Sequence, residues 1–167
     1  MILKADLHNH TKYCNHAEGE AWELAEEAFK AGITHFGFSC HAPMNYDFES
    51  RMKLEEVVLY KNDIAKTKEL FEGRMEILTA FEVDYFPGLM EESILGDKSL
   101  DYLIGSVHFI NRWGVDHPDS IFRYKEGNIN EIWEEYLEAL GKMAEFGKFD
   151  IVGHFDLVKI FKFLPTV

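Results

Sequence analysis

Cysteine, proline and basic residues are scarce in this chain of 167 residues, and it has no long hydrophobic run. Its two cysteines, Cys14 and Cys40, are too few for a disulfide framework, and we expect both to be free thiols. No apolar run approaches the roughly 20 residues that cross a bilayer, and the opening MILKADLHNH has no signal-peptide core. These absences predict a cytoplasmic protein without a membrane partner.

Acidic residues outnumber basic ones by 30 to 17, which gives a formal net charge of -13. A chain of this charge repels phosphate backbones at long range, so extended contact with nucleic acid is disfavoured. A small anionic substrate is compatible with it only if metal ions reverse the local sign. Hydrophobic residues make up 47% of the chain, and no Pro/Gly/Ser-rich linker divides it, so we expect a single domain over residues 1–167.

Short apolar runs alternate with longer segments of helical period, which is the pattern of a parallel α/β fold. Five of these runs are predicted strands, and several are apolar almost throughout, as strands covered on both faces are. The five span residues 2–8, 34–40, 76–84, 102–109 and 149–155.

Helical spacing predicts three long amphipathic helices between these strands, each followed by a glycine that can end a helix. The first carries Trp22, Ala25 and Phe29 on its apolar face. The other two occupy residues 54–72 and 129–146. Their inner faces are predicted as Leu54, Val57, Val58, Ile64, Ala65 and Phe71, and as Ile132, Trp133, Tyr136, Leu137, Leu140 and Ala144. A shorter helix is expected near residues 89–95, and residues 111–128 form the longest predicted irregular loop.

Every predicted strand has a metal-binding type of residue at or just after its C-terminal end. In parallel α/β folds the active site forms at that edge, because the loops that leave the strands converge there. A single histidine at a strand end is more often structural than a ligand, so the prediction depends on the whole set. We predict a multi-metal site built from His8, His10, His16, His41, Glu82, His108 and His154.

The spacing of the first histidines suits a shared ion. His8 and His10 are two residues apart on a strand and so face the same side. Asp6 shares that face and is expected to orient His8 from behind. His16 follows a short loop that can fold back over the edge. Imidazole and carboxylate donors suit zinc, iron or manganese, and Glu82 has two oxygens with which to bridge two ions.

Four other candidate ligands are expected to stay outside this set. His35 begins a strand and so lies at the opposite edge, and His117 lies in the DHPD turn. Cys14 is near in sequence, but a thiolate would be unusual among nitrogen and oxygen donors. Cys40 is predicted to be strand core.

The fragments DLHNHT, His16, HAP, FEVDY, SVHF and GHFDLVK, in this order, resemble the motifs of the PHP (polymerase and histidinol phosphatase) superfamily. HAP, EVDY, SVHF and the DHP turn are similar to its histidinol-phosphate phosphatase branch. The resemblance covers the whole chain. It implies a distorted seven-stranded β/α barrel that holds up to three divalent ions, zinc, iron or manganese, at its C-terminal mouth.

The resemblance also implies roles for the residues. The implied ligands are His8 and His10 for one ion, Glu82 bridging to a second ion that His108 and His154 complete, and His16 and His41 for a third. The implied reaction is hydrolysis of L-histidinol phosphate to L-histidinol and phosphate, a step of histidine biosynthesis, by a metal-bound hydroxide without a protein nucleophile. Arg123 and Lys159 or Lys162 are the candidates for the basic residues that grip phosphate in the family.

The family pattern continues past the last predicted strand of this chain. In the family, an Asp-x-His pair after a seventh strand completes the first and third metal sites, and no such pair follows His154 here. A full β/α barrel takes about 250 residues, and five strands leave an unpaired apolar edge. The chain is therefore expected to be an incomplete barrel of about five parallel strands.

Three explanations for the short pattern stay open. The chain is a fragment of a longer phosphatase, a short form that covers its open edge as a homo-oligomer, or a metal-binding module without turnover. The alternative activity is that of a PHP phosphoesterase acting on another small phosphate or on a nucleotide.

Overall fold

A computed structural model describes residues 4–166 of the chain. Five strands form a curled parallel half-barrel, and two short strands form a separate antiparallel hairpin. In chain order the elements are β1 (Ala5–Asn9), α1 (Ala21–Lys30), β2 (His35–Phe38), α2 (Val57–Leu70), β3 (Glu76–Asp84), α3 (Glu92–Leu95), β4 (Tyr102–Ser106), β5 (Phe109–Ile110), β6 (Trp113–Gly114), α4 (Ile121–Glu126), α5 (Ile129–Phe146) and β7 (Ile151–Val152). The incomplete α/β barrel expected from the sequence is confirmed.

The half-barrel is built around β3, and its strand order is β1-β2-β3-β4-β7. The first half of β3 pairs with β2 and the second half with β4, so this strand has neighbours along its whole length. β7 pairs with β4 through only two positions, Ile104 with Ile151 and Gly105 with Val152. All these pairings are parallel, and the C-terminal ends of the strands therefore meet at one edge.

The predicted strands are all present, but most are shorter than predicted. Only β3 has the predicted bounds, 76–84. The strand predicted over 102–109 ends at Ser106, because residues 109–110 turn away into the β5–β6 hairpin. The strand predicted over 149–155 is reduced to two residues, after which the chain turns into a 3-10 helix at Leu157–Lys159. Residues 2 and 3 of the first predicted strand lie outside the described residues.

The helices are where the spacing predicts them, and α5 has the predicted bounds, 129–146. Their buried faces differ from the prediction in part. α1 buries its alanines and leaves Trp22 half exposed. Among the residues predicted to face inward, Leu54, Val58, Ala65, Leu137 and Ala144 are exposed.

Tyr60, an aromatic residue with a polar hydroxyl, determines which face of α2 is buried. The apolar pattern in the sequence did not include it. The buried Tyr60 hydroxyl donates to the Ala80 carbonyl at 2.9 Å and accepts the Cys40 N–H at 3.2 Å. Ile64 and Thr67 are buried with it. Because these hydrogen bonds tie α2 to β3 and to the end of β2, the helix turns Val58 towards water.

The segment predicted as the longest irregular loop, residues 111–128, is largely ordered into β6, a 3-10 helix at Pro118–Ser120 and α4. Asn111 and Arg112 form the two-residue turn of the hairpin, both with positive φ (47° and 68°), as a type I′ turn requires. The Tyr46 hydroxyl donates to the Arg112 carbonyl and fastens this turn to the loop after β2. Among the described helices, none combines the length and the apolar character needed to span a membrane.

Candidate metal centre

Glu82 lies at the centre of the site, near the C-terminal end of β3, and only 1% of its side chain is exposed. Three histidines surround one of its carboxylate oxygens, Oε2. His8 Nε2 lies 3.0 Å from this oxygen, His10 Nε2 lies 3.3 Å away and His41 Nδ1 lies 3.2 Å away. His8 lies in β1 and His10 directly follows it, and His41 lies beside Glu82 in a short parallel pairing that extends β2.

The other oxygen of Glu82, Oε1, faces the strands on the opposite side of β3. The Ser106 hydroxyl at the end of β4 donates to it at 2.6 Å. His154 Nε2 lies 3.1 Å from Oε1, and His108 Nε2 lies 3.7 Å from it. Five histidines from four strand ends thus converge on one buried carboxylate.

His16 reaches the same edge from the loop after β1. The 3-10 helix Lys12–Cys14 and a left-handed turn at Asn15 (φ 57°) bring the chain back. The His16 ring then lies 5.2 Å from the ring of His10 and 5.1 Å from that of His41, centroid to centroid. Its Nδ1 atom lies 3.1 Å from the Ser50 carbonyl oxygen.

The seven predicted ligands therefore come together. The ligand atoms of six of them form three groups within 4.8 Å of one another, which are His8–His10–Glu82, His10–His16–His41 and His41–Glu82–His108. His154 joins them through its 3.1 Å contact with Glu82. Among the described residues, the buried Nδ1 atoms of His41 and His154 have no hydrogen-bond partner. Buried polar atoms without partners are costly. His41 Nδ1 lies beside Glu82 Oε2 without the geometry of a hydrogen bond, and a set of imidazole and carboxylate donors of this kind fits divalent cations.

The protonation of the cluster differs from residue to residue. Burial alone would keep Glu82 neutral, but hydrogen bonds from His10, His154 and His8 hold its pKa well below the usual range. Burial lowers the pKa of His41 to about 3, so this imidazole is neutral near pH 7. A metal ligand must be deprotonated, and His41 already meets that condition.

Asp84 and Arg51 form a second layer behind the cluster that the sequence did not predict. The Asp84 Oδ1 atom lies 2.6 Å from His108 Nδ1, and its Oδ2 atom accepts from Arg51 Nη2 at 3.0 Å. Burial opposes a charge on His108, yet the Asp84 carboxylate outweighs it and raises the pKa of His108 to about 9. The carboxylate thus holds a proton on Nδ1, which leaves Nε2 directed at Glu82.

Asp6 does not take the position that the sequence predicted for it. Its carboxylate accepts from the Asn9 side chain at 3.0 Å. Within residues 4–166 no hydrogen bond joins it to His8. The register of β1 against β2 shifts between Asp6 and Asn9, and this irregularity gives the carboxylate to Asn9 instead.

Arg123 and Lys159, the predicted phosphate ligands, also lie away from the cluster. The Arg123 guanidinium stacks over the Trp113 ring at 5.4 Å and lies in a separate surface depression beside Glu126. Lys159 is paired with Asp156 on the surface.

The four candidates expected to stay outside the set are placed as follows. His35 pairs with Glu76 at the opposite edge of the sheet. His117 caps the 3-10 helix that begins at Pro118. Cys14 and Cys40 are free and buried.

A cavity of about 390 Å³ opens beside the cluster, between the loop after β2 and the β5–β6 hairpin. His16, His41 and His108 line its inner end. Its outer wall carries acidic and aromatic groups, Asp47, Glu49, Asp116, Phe109 and His117. The cavity therefore joins a group of metal-type donors to a wall of negative charge.

Known proteins are similar to this chain in sequence and in fold. The PHP domain family model matches residues 6–164. A protein of Deinococcus radiodurans named "Probable histidinol-phosphatase" is 37% identical over 165 residues, 96% of this chain and 64% of that protein. The histidinol-phosphatase of Bacillus subtilis is 30% identical over 188 aligned positions, 98% of this chain and 70% of that protein. The chain thus spans about two thirds of the length of these relatives.

A solved structure agrees with the sequence comparisons. The crystal structure of histidinol phosphate phosphatase from Lactococcus lactis, complexed with zinc, L-histidinol and phosphate, superposes with a TM-score of 0.80 at 21% identity. The superposition covers 94% of this chain and 59% of that one, and it shows a common fold. The family model over residues 6–164 and the two relatives place the chain in the PHP domain family, in its histidinol-phosphatase branch.

Proposed function

We propose that this chain is, or forms part of, a metal-dependent phosphomonoesterase that hydrolyses L-histidinol phosphate to L-histidinol and phosphate. The observation that carries the proposal is the convergence of five histidines on the two oxygens of Glu82 beside an open cavity. The names of the two relatives and the zinc, histidinol and phosphate in the Lactococcus lactis crystal support the reaction and the substrate.

The seven side chains that converge at the edge would hold the metal ions. Zinc, iron and manganese all suit nitrogen and carboxylate donors, and up to three ions are proposed. When bound, such ions neutralise phosphate oxygens and lower the pKa of a water. The proposed ligands are His8, His10, His16, His41, Glu82, His108 and His154.

The residues of the chain would orient the substrate in the cavity. Three histidines line its inner end, so the phosphate would enter there. The carboxylates of Asp47, Glu49 and Asp116 on the outer wall favour an organic group with positive charge, as an amine or a protonated imidazole has. Arg51 also lines the cavity, but its guanidinium already bonds Asp47, Asp84 and the Ala42 carbonyl, so its proposed role is structural.

A second copy of the chain is proposed to cover the outer edge of the half-barrel. The proposed location of the protein is the cytoplasm. Beside β7, the apolar side chains of Val152, Phe155, Ile160 and Leu164 are each about half exposed or more. Exposed apolar side chains next to a strand with a free edge favour association. A strictly monomeric chain at micromolar concentration would refute this part of the proposal.

The testing experiment is phosphate release from L-histidinol phosphate by the purified chain, with metal content measured on the same sample. Phosphate monoesters of uncharged alcohols and nucleotides serve as comparison substrates, and His108→Ala is the control. Activity that prefers L-histidinol phosphate and disappears in the control is the expected result. A preference for another phosphate would mean that this other compound is the substrate. Bound metal without turnover would favour the metal-binding module instead.

A further inference from the structure

The Cys14 thiol lies between two of the proposed metal ligands and contacts both. Its Sγ atom accepts the backbone N–H of His41 at 3.0 Å. The same sulfur lies 3.2 Å from Nδ1 of His10. Cys14 is fully buried, so water does not compete for these contacts.

The direction of the His10 ring shows which of its nitrogens contacts the Cys14 sulfur. His10 Nε2 points at Glu82 Oε2, 3.3 Å away, so Nε2 is the atom that faces the centre of the cluster. If Nε2 holds a metal ion, the ring proton must be on Nδ1. The atom nearest to receive that proton in a hydrogen bond is the sulfur of Cys14.

Ligand histidines usually donate their second N–H to a carboxylate, a carbonyl or a water, which fixes the tautomer and the ring orientation. His108 follows that rule through Asp84. At His10 a thiol stands where the carboxylate would be. Sulfur is a weaker acceptor than oxygen, but it is large and can accept both the Nδ1–H of His10 and the N–H of His41.

We propose that Cys14 is a positioning residue of the metal centre, which holds the His10 ring in its Nδ1–H tautomer and anchors the backbone of His41. Cys14 is not itself a ligand in this proposal. The inference rests on the proposed metal dependence, but it does not depend on the identity of the substrate.

The chain contains a matched control. Cys40 is as buried as Cys14 and packs beside it. Its sulfur, however, accepts the backbone N–H of Thr11 at 3.2 Å and contacts the Thr11 hydroxyl at 3.3 Å. Removal of this thiol deletes the contact between the two cysteines but neither the His10 nor the His41 contact of Cys14.

The first test measures zinc affinity by competition with a chelator in the wild type, Cys14→Ala, Cys14→Ser and Cys40→Ala. Loss of an outer-layer partner typically weakens metal binding by about 10- to 100-fold, and we expect the lower end for Cys14→Ala because sulfur is a weak acceptor. Cys14→Ser should recover part of the loss, since a hydroxyl accepts from the same donors. Equal affinities for Cys14→Ala and Cys40→Ala would overturn the proposal.

The second test observes the His10 tautomer by nitrogen NMR of zinc-loaded protein with labelled histidine. A slowly exchanging His10 Nδ1–H is expected in the wild type and in Cys40→Ala, and fast exchange in Cys14→Ala. A proton on Nε2 in the wild type would refute the inference. If Cys14→Ala does not fold, Cys14→Ser and the wild type still decide, because only a positioning role links this thiol to the His10 proton.

The two proposals fail separately. If the wild type binds zinc and shows the Nδ1–H signal but releases no phosphate from any ester, the proposed activity is wrong and the role of Cys14 stands. If phosphate is released and the zinc affinity of Cys14→Ala equals that of Cys40→Ala, the activity stands and the role of Cys14 is wrong.

Discussion

Glu82 and His154 meet at the same edge of the sheet, 3.1 Å apart, but the fold holds them in very different ways. Glu82 lies near the end of the nine-residue strand β3, which has strands on both sides. His154 comes after β7, which has two residues and one neighbour. Only 1% of the Glu82 side chain is exposed, against 30% for His154.

The difference divides the site into a firm side and a weakly held side. On the firm side, Phe81 and Val83 alternate with Glu82 and are buried in the core. On the other side, the backbone carbonyl of His154 accepts the Tyr136 hydroxyl at 3.0 Å, and its ring reaches Glu82 from a segment with only two strand residues. Segments with few buried contacts open at low free-energy cost. The β3 part of the site is therefore preorganised, and the β7 side depends more on what binds or covers it.

The largest expected effect is a loss of zinc affinity in Glu82→Gln. This substitution removes the charge of the side chain and keeps almost the same side-chain shape. Because both oxygens of Glu82 face histidines, we expect zinc affinity to fall by more than the roughly 100-fold that loss of an outer-layer partner causes. His154→Ala on the weakly held side should cost less. Chelator competition on both variants checks the order, and equal losses would show that the two sides contribute alike.

Asp84→Asn should have the next largest effect, and this effect is on the free energy of unfolding. The variant tests the stability of the firm side. The variant leaves the buried Arg51 guanidinium without its fully buried partner and His108 without its carboxylate. Breaking one partner of a buried ion pair costs about 3–5 kcal/mol. Urea unfolding of the metal-free protein measures this loss. Asp63→Asn, whose carboxylate is bonded mainly at the surface to Tyr13 and Lys66, is the control with a small expected effect.

Much of this site could be predicted from the sequence, because strand ends are local features. Glu82 and the histidines follow apolar runs of strand length, and a parallel sheet must bring such ends to one edge. Asp84 and Arg51 could not be found in this way, since they are 33 positions apart and meet only in the folded chain. The alternation of EVD, which puts Glu82 and Asp84 on one face of β3, was the available signal for Asp84.

The position of Arg123 and the buried face of α2 differ from the expected ones, and both differences have a physical cause that the sequence pattern does not contain. Arg123 was chosen for its charge, but a stacking partner, Trp113, holds it elsewhere. The inner face of α2 was chosen from apolar residues, whereas the hydrogen bonds of Tyr60 decide it. In both cases a specific tertiary contact outweighs a pattern of composition.

Gly153→Ala tests how closely the weakly held side is packed against the firm one. A methyl group at Gly153 would collide with the Ser106 hydroxyl, which donates to Glu82 Oε1. Overpacking of this kind costs about 1–3 kcal/mol, and we expect a lower melting temperature together with weaker zinc binding. Gly141→Ala is the control, because a methyl group there meets no atom within 4 Å and α5 favours alanine. A melting temperature unchanged by Gly153→Ala would mean that β7 simply moves away.

The smallest effect on the stability of a single chain is expected from Val152→Lys, at the exposed edge of β7. Val152 is 51% exposed, and exposed substitutions usually change stability by no more than about 0.5 kcal/mol. If a second copy covers this edge, however, the new charge is buried at the interface and should lower the mass measured by light scattering at micromolar concentration. Val58→Lys is the matched control, since Val58 is 59% exposed on α2, a helix that packs against β3. An identical mass for both variants and the wild type would show that no second copy of the chain covers the edge of β7. The position of His154 would then depend on β7, on the Tyr136 hydrogen bond and on the contact of its ring with Glu82 Oε1.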